Sequence, residues 1–82
     1  MDDYSEHITE AVRVIEAFYP EYLERLKLED SLLARAMFYG LMIEMTEKSP
    51  DYPYKAQVLE ILENRNAFAH DGLRAGLMNN PE

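Results

Sequence analysis

Apolar residues recur at helical spacing along most of this chain, and no stretch alternates as a half-buried strand would. The centre of the pattern is the stretch from Asp30 to Ser49, whose residues 36–43 are eight uncharged residues in succession. A helix that is apolar nearly all round is typically buried, and this one is shorter than the roughly 20 apolar residues of a membrane span. The pattern predicts a buried central helix at 31–48, with Gly40 marking the close approach of a neighbouring helix.

Three further helices are predicted around the central one. The first, at about 3–18, has one inward stripe, formed by Tyr4, Ile8, Ala11, Val12, Ile15 and Phe18. A short second helix, at 20–27, starts at Pro20, because proline suits the first helical position. After a proline-rich turn at 49–54, the last helix is predicted at 54–71, with Gly72 just past its end and a tail at 73–82. The fold class is therefore all-α, a small helical bundle that forms one domain over 1–82.

Two helix starts have capping residues in the sequence. Asp3 stands three residues before Glu6, which is the spacing of a capping box, although Asp replaces the usual Ser or Thr. Asp30 precedes the central helix and is the expected N-cap residue there.

The chain is strongly acidic, with 16 acidic and 8 basic residues and a formal net charge of −8. Residues 1–31 contain nine of the acidic residues and three of the basic ones. Such a surface repels phosphate backbones and attracts basic partners. A purely solvating acidic surface is the alternative, and the sharper hypothesis is docking on a basic groove of another protein.

The composition also limits the chemistry and the compartment. There is no cysteine, so neither a disulfide framework nor a thiolate site is expected. No metal site or cofactor is predicted, because His7 with Glu6 and Glu10 is too sparse a ligand set to be specific. The pattern contains no signal-peptide or membrane segment, so we expect a cytoplasmic protein, or one in host cytoplasm if a virus encodes it.

Tyrosines and acidic residues cluster where the second helix begins and again at the proline-rich turn. Tyrosine-rich surface is enriched at protein interfaces. The sequence therefore offers six candidate partner-binding residues: Tyr19, Glu21, Tyr22, Glu24, Tyr52 and Tyr54. The alternative is that this aromatic corner packs to close one end of the bundle.

Arg65 interrupts the apolar stripe of the last helix. A charged group that faces a core is costly unless it is paired. We therefore expect Arg65 to meet a carboxylate, with Glu16 and Glu44 as candidates, or to point into a cleft or a subunit interface.

The segment Arg65-Asn66-Ala67-Phe68-Ala69-His70 resembles the Arg-x4-His motif of the HEPN family, small helical bundles that include metal-independent ribonucleases. The resemblance implies that Arg65 stabilises phosphate charge, that His70 transfers protons and that Asn66 supports them. On an uninterrupted helix, positions five apart point about 140° apart, so the two residues would need a bend or a symmetric dimer to converge. The structural alternative is a core-edge arginine and a histidine favoured at a helix C-terminus.

These patterns lead to three hypotheses about function. The first is an interaction module, an inhibitor or regulator of the immunity or anti-defence type, which binds a basic or nucleic-acid-handling protein and not a membrane. The second is a HEPN-like endoribonuclease or its inactive scaffold, the one hypothesis that includes RNA as a partner. The third is a homodimer or larger homo-oligomer, which requires that the other helices leave the central helix uncovered.

Overall fold

The computed structural model describes residues 4–78 of the chain, and all of its regular structure there is helical. Four helices follow one another in the order α1 (Ser5–Glu16), α2 (Tyr19–Leu26), α3 (Leu32–Lys48) and α4 (Lys55–Met78). The predicted fold class, a small all-α bundle with one short helix, is confirmed. None of the four helices combines the length and apolarity that crossing a membrane requires.

The bundle is built around the antiparallel pair of α3 and α4, which make the most extensive helix–helix contact. α1 packs on α4, and α2 packs on α3. The core between α1, α3 and α4 is centred on Val12, Val58 and Leu62, which are almost completely buried. These are stripe positions of the predicted helices, so the helical periodicity places the core correctly.

The ends of α1 and α2 differ from the prediction by two residues or fewer. α1 ends at Glu16, because Phe18 is the N-cap of α2 and its carbonyl accepts a hydrogen bond from the Tyr22 N–H at 2.9 Å. Pro20 lies in the first turn of α2, as expected. Asp3, the predicted cap of α1, lies outside the described residues.

The cap of α3 is a correction to the sequence prediction. Ser31, not Asp30, is the N-cap, and its hydroxyl accepts a hydrogen bond from the Ala34 N–H at 3.0 Å. The Asp30 carboxylate instead accepts hydrogen bonds from Arg35 and Tyr19. A serine and an aspartate in adjacent positions are equally good caps, so the choice depends on these other partners.

The end of α4 is the second correction. Gly72 does not stop the helix, which continues through the predicted tail to Met78, and no glycine has a positive φ. Gly72 instead lies under Leu32 of α3, where an added Cβ would be 2.7 Å from Leu32 Cδ1. At Gly40, by contrast, an added Cβ would be in ordinary contact with Asn66 at 3.9 Å, so the expected tight helix approach does not occur there.

The third correction concerns α3, which is not buried on all sides. Its inner face contains the buried residues Ala34, Ala36 and Phe38. Its outer face leaves large apolar side chains in solvent, because three neighbouring helices cannot surround it within the described chain. These exposed side chains are Leu33, Met37, Leu41 and Met45.

Candidate functional site

Arg65, the arginine predicted to need a carboxylate, has one. Its Nη1 lies 2.8 Å from Glu16 Oε2, so the expected carboxylate partner is Glu16, one of the two candidates between which the sequence did not choose. The Tyr39 hydroxyl donates to the same oxygen at 2.6 Å. Burial, followed by this hydrogen bond to Glu16, raises the pKa of Tyr39 to about 12. The three side chains tie α1, α3 and α4 together.

A second set of one tyrosine, one carboxylate and one arginine lies beside the set formed by Tyr39, Glu16 and Arg65. Asp30 accepts a hydrogen bond from the Tyr19 hydroxyl at 2.7 Å and two from Arg35, at 2.9 and 3.0 Å. The bonds from Arg35 and then Tyr19 lower the pKa of Asp30 to about 2. Arg35 also lies over the Tyr19 ring, 5.8 Å from its centroid.

The two sets border one small polar cavity of about 290 Å³. It is lined by Glu16, Tyr19, Arg35, Tyr39 and Arg65. Both guanidinium groups therefore face the same space, but each already has a carboxylate partner. The cavity can accept a polar group, while its own charges are largely balanced.

The other two motif residues do not meet Arg65 at a common point. Asn66 is half-buried and donates from Nδ2 to the Ala36 carbonyl at 2.8 Å, which fastens α4 to α3. His70 is exposed and lines neither cavity that contains Arg65. Because α4 is unbroken from Lys55 to Met78, the five-residue spacing keeps Arg65 and His70 about 140° apart around one helix.

An open apolar groove of about 480 Å³ lies between α2, α3 and the turn at 49–52. Its wall contains Ile15, Phe18, Tyr22, Phe38, Met42, Met45 and Tyr52, and its polar rim contains Glu21, Arg25, Thr46 and Ser49. The Tyr22 ring meets Phe38 edge-on at 5.3 Å between centroids. Phe18 and Met45 are about half exposed, so large apolar side chains remain available to a ligand.

Three of the six predicted partner-binding residues line the groove: Glu21, Tyr22 and Tyr52. The other three lie elsewhere: Tyr19 faces the polar cavity, Glu24 is exposed on α2, and Tyr54 packs against Tyr4, His7 and Tyr52. The two methionines of the groove wall, Met42 and Met45, were not among the predicted partner-binding residues. Their signal was available, since methionines at helical spacing are frequent on adaptable binding surfaces.

A second surface with exposed apolar side chains lies on α4. Phe68 is 75% exposed, and with Leu32 and Ile61 it lines a cleft of about 530 Å³ that also contains Arg35 and Arg65. Phe68 lies well outside the core. It provides an exposed aromatic side chain that is remote from the groove residues.

The described residues offer no metal centre, because no group of three or more His, Asp or Glu side chains comes together among residues 4–78. The described residues do form an apolar groove with a charged rim and a polar cavity with balanced charges. Comparisons of the chain with protein-family models, with curated proteins and with solved structures gave no match.

Proposed function

We propose that this protein is an interaction module that receives an apolar helical segment of a partner protein in the groove between α2, α3 and the turn at 49–52. The observation that supports the proposal is the exposure of Phe18 and Met45 on a concave wall that also holds Tyr22 and Tyr52. Pockets of this kind, with aromatic and methionine walls, suit the apolar face of an amphipathic helix.

The charge of the chain indicates the kind of partner. With a net charge of −8, the surface around the groove attracts a segment whose apolar face is flanked by Lys and Arg. Glu21 at the rim is paired with Arg25 at 2.8 Å, whereas Glu24 and Glu29 have no ion pair among the described residues. A basic, nucleic-acid-handling protein that this module inhibits or regulates is the partner class that fits both features.

Two synthetic helical peptides test the proposal directly. Both have the same leucine stripe, and the remaining positions are lysine in one and glutamate in the other. We expect the lysine peptide alone to bind, and to shift the methyl resonances of Met42 and Met45 while leaving that of Met37 unchanged. Equal binding of both peptides would contradict the electrostatic part of the proposal, and a shift confined to Met37 would place the ligand outside the groove.

A pair of matched variants, one in the groove and one outside it, tests which residues contribute to peptide binding. Phe18→Ser removes an aromatic wall of the groove and should weaken the lysine peptide at least roughly tenfold, because such anchors dominate binding energies. Phe68→Ser makes the same change on α4 and should leave binding unchanged. Reversing Glu21 and Glu24 to Lys should weaken binding and reduce its salt dependence. Circular dichroism confirms that each variant is folded.

A ribonuclease is the second candidate function. The observation in its favour is that Arg35 and Arg65 face one cavity, where two guanidinium groups could hold a phosphate. The arrangement would need His70 from a second copy, since a single α4 keeps it away from Arg65. Glu16 and the acidic surface work against it, because both oppose a phosphate at that place.

A further inference from the structure

The outer face of α3 carries a continuous apolar ridge, defined by Leu33, Met37, Leu41 and Met45. These side chains are 57%, 45%, 40% and 56% exposed, respectively. Their four-residue spacing places them along one ridge of the helix surface, of the kind that packs into the grooves of another helix. α4 packs on the other side of α3, so no described helix covers the ridge.

We propose that a second copy of this chain covers the ridge, by antiparallel packing of the two α3 helices about a two-fold axis near position 39. In that register the numbers of facing residues add up to 78. Leu33 then faces Met45 of the second copy, and Met37 faces Leu41. The ridge is thus complementary to itself, which is the property that a two-fold interface requires.

The charges beside the ridge favour the same register. Antiparallel packing sets Lys48, which pairs with Glu44 of its own chain, at the level of Asp30 of the second copy, which pairs with Arg35 of its own chain. It also sets Glu44 at the level of Ala34, so no like charges face each other. A parallel pair would instead set Glu44 against Glu44 and Lys48 against Lys48 at the axis, and like charges at such positions are unfavourable. Two acidic chains associate most readily where their surfaces carry no charge. Between Leu33 and Leu41 the one charged residue is Arg35, and its side chain points away from the ridge to pair with Asp30.

The ridge meets the peptide-binding groove at Met45, which belongs to both surfaces, whereas Leu33, Met37 and Leu41 lie outside the groove and Phe18, Tyr22 and Tyr52 lie outside the ridge. Variants at Met37 and Phe18 therefore test the two proposals separately. The proposed dimer is also distinct from a ribonuclease dimer, because α4 lies on the far side of α3 from the ridge. Two Arg65–His70 segments would therefore stay apart in this dimer. One helix pair is a small interface, so we expect a dimer that dissociates on dilution.

Sedimentation equilibrium over a range of concentrations tests for the dimer. The wild type should show a monomer–dimer equilibrium, and Met37→Glu should be monomeric throughout, because it places two carboxylates in an apolar contact. Phe68→Glu, which changes a more exposed apolar residue off the ridge, should dimerise like the wild type. A monomeric wild type at millimolar concentration, or loss of the dimer in Phe68→Glu but not in Met37→Glu, would overturn the proposal.

Cross-linking tests the orientation, and the absence of cysteine from the chain makes each introduced thiol unique. Leu33→Cys and Met45→Cys chains, mixed and treated with a short bis-maleimide, should form a mixed dimer. Each variant alone should stay largely uncross-linked, because its two thiols would be about 18 Å apart along the helix axis. Efficient cross-linking of Leu33→Cys with itself would indicate parallel packing and would refute the register.

Discussion

At the scale of single residues, the two tyrosine–carboxylate–arginine sets show how far the sequence can be interpreted. The cost of an unpaired arginine in an apolar stripe correctly required a carboxylate for Arg65, and Glu16 was one of two candidates. The second set was not predicted, because Asp30 was assigned to a helix cap. Sequence position alone cannot decide between a cap and a side-chain network when Ser31 stands beside Asp30 and can take the cap.

Asp30 gives a prediction about stability in acid. Its pKa is lowered to about 2 by Arg35 and Tyr19, below the value of about 3.9 in an unfolded chain. The ionised carboxylate therefore contributes stability that is present above about pH 4 and is lost as the pH falls toward 2. Asp30→Asn should be less stable than the wild type at neutral pH, and the difference should shrink over that interval.

Urea unfolding followed by circular dichroism at several pH values measures this difference. Glu21→Gln is the control, because Glu21 is an exposed carboxylate in a local pair with Arg25. Its difference from the wild type should be small at every pH, since exposed pairs of this kind contribute little. A constant gap between Asp30→Asn and the wild type from neutral pH to pH 2 would contradict the assigned role of the carboxylate.

At the scale of helices, the sequence predicts which segments are helical better than where they end. All four helices were predicted, because the apolar spacing of three and four residues is a strong local signal. The end of α4 was missed, since Gly72 can either stop a helix or leave room for a neighbouring side chain. In this molecule the neighbour is Leu32, a residue 40 positions earlier, which no local pattern reveals.

The two glycines at the α3–α4 contact should therefore respond differently to alanine. Gly40→Ala meets only Asn66, at 3.9 Å, so the gain in helix propensity should stabilise the protein by about 0.5–1 kcal/mol. Gly72→Ala would place Cβ 2.7 Å from Leu32 Cδ1, so Leu32 must move and the gain should be reduced or reversed.

Denaturant midpoints of the two variants, compared with the wild type, measure these effects. The double variant Gly72→Ala with Leu32→Ala is the control, because it removes the crowding and should recover the benefit of alanine relative to Leu32→Ala alone. Equal stabilisation by both single variants would show that Leu32 moves aside without cost.

At the scale of the whole molecule, the surfaces that the proposed binding role would use are those that three small helices leave uncovered on α3. Burial of α3 was expected from its apolar sequence, but burial is a property of the complete packing arrangement. The groove and the ridge both result from this incomplete cover. Neither is visible in the sequence, because an apolar residue at helical spacing can be a core residue or an exposed one. The acidic charge, by contrast, can be read from the sequence. By itself it does not identify a partner, because many proteins have basic surfaces.

This view of the molecule predicts no ribonuclease activity. We expect purified wild type and His70→Ala to leave single-stranded RNA intact in the presence of a chelator, even at high protein concentration, because the acidic surface repels the substrate. Circular dichroism on both proteins excludes unfolding as the reason. Cleavage by the wild type that disappears in a folded His70→Ala variant would instead establish the HEPN-like function.

The methionines of α3 add a sensitivity to oxidants. Met37 on the ridge and Met45 at the edge of the groove expose their thioethers to solvent, where peroxide can convert them to sulfoxides. A sulfoxide is polar, so oxidation would weaken both surfaces without disturbing the buried core around Val58 and Leu62. Because methionine sulfoxide reductases reverse the reaction, the redox state of the surroundings would set how strongly the two proposed complexes form.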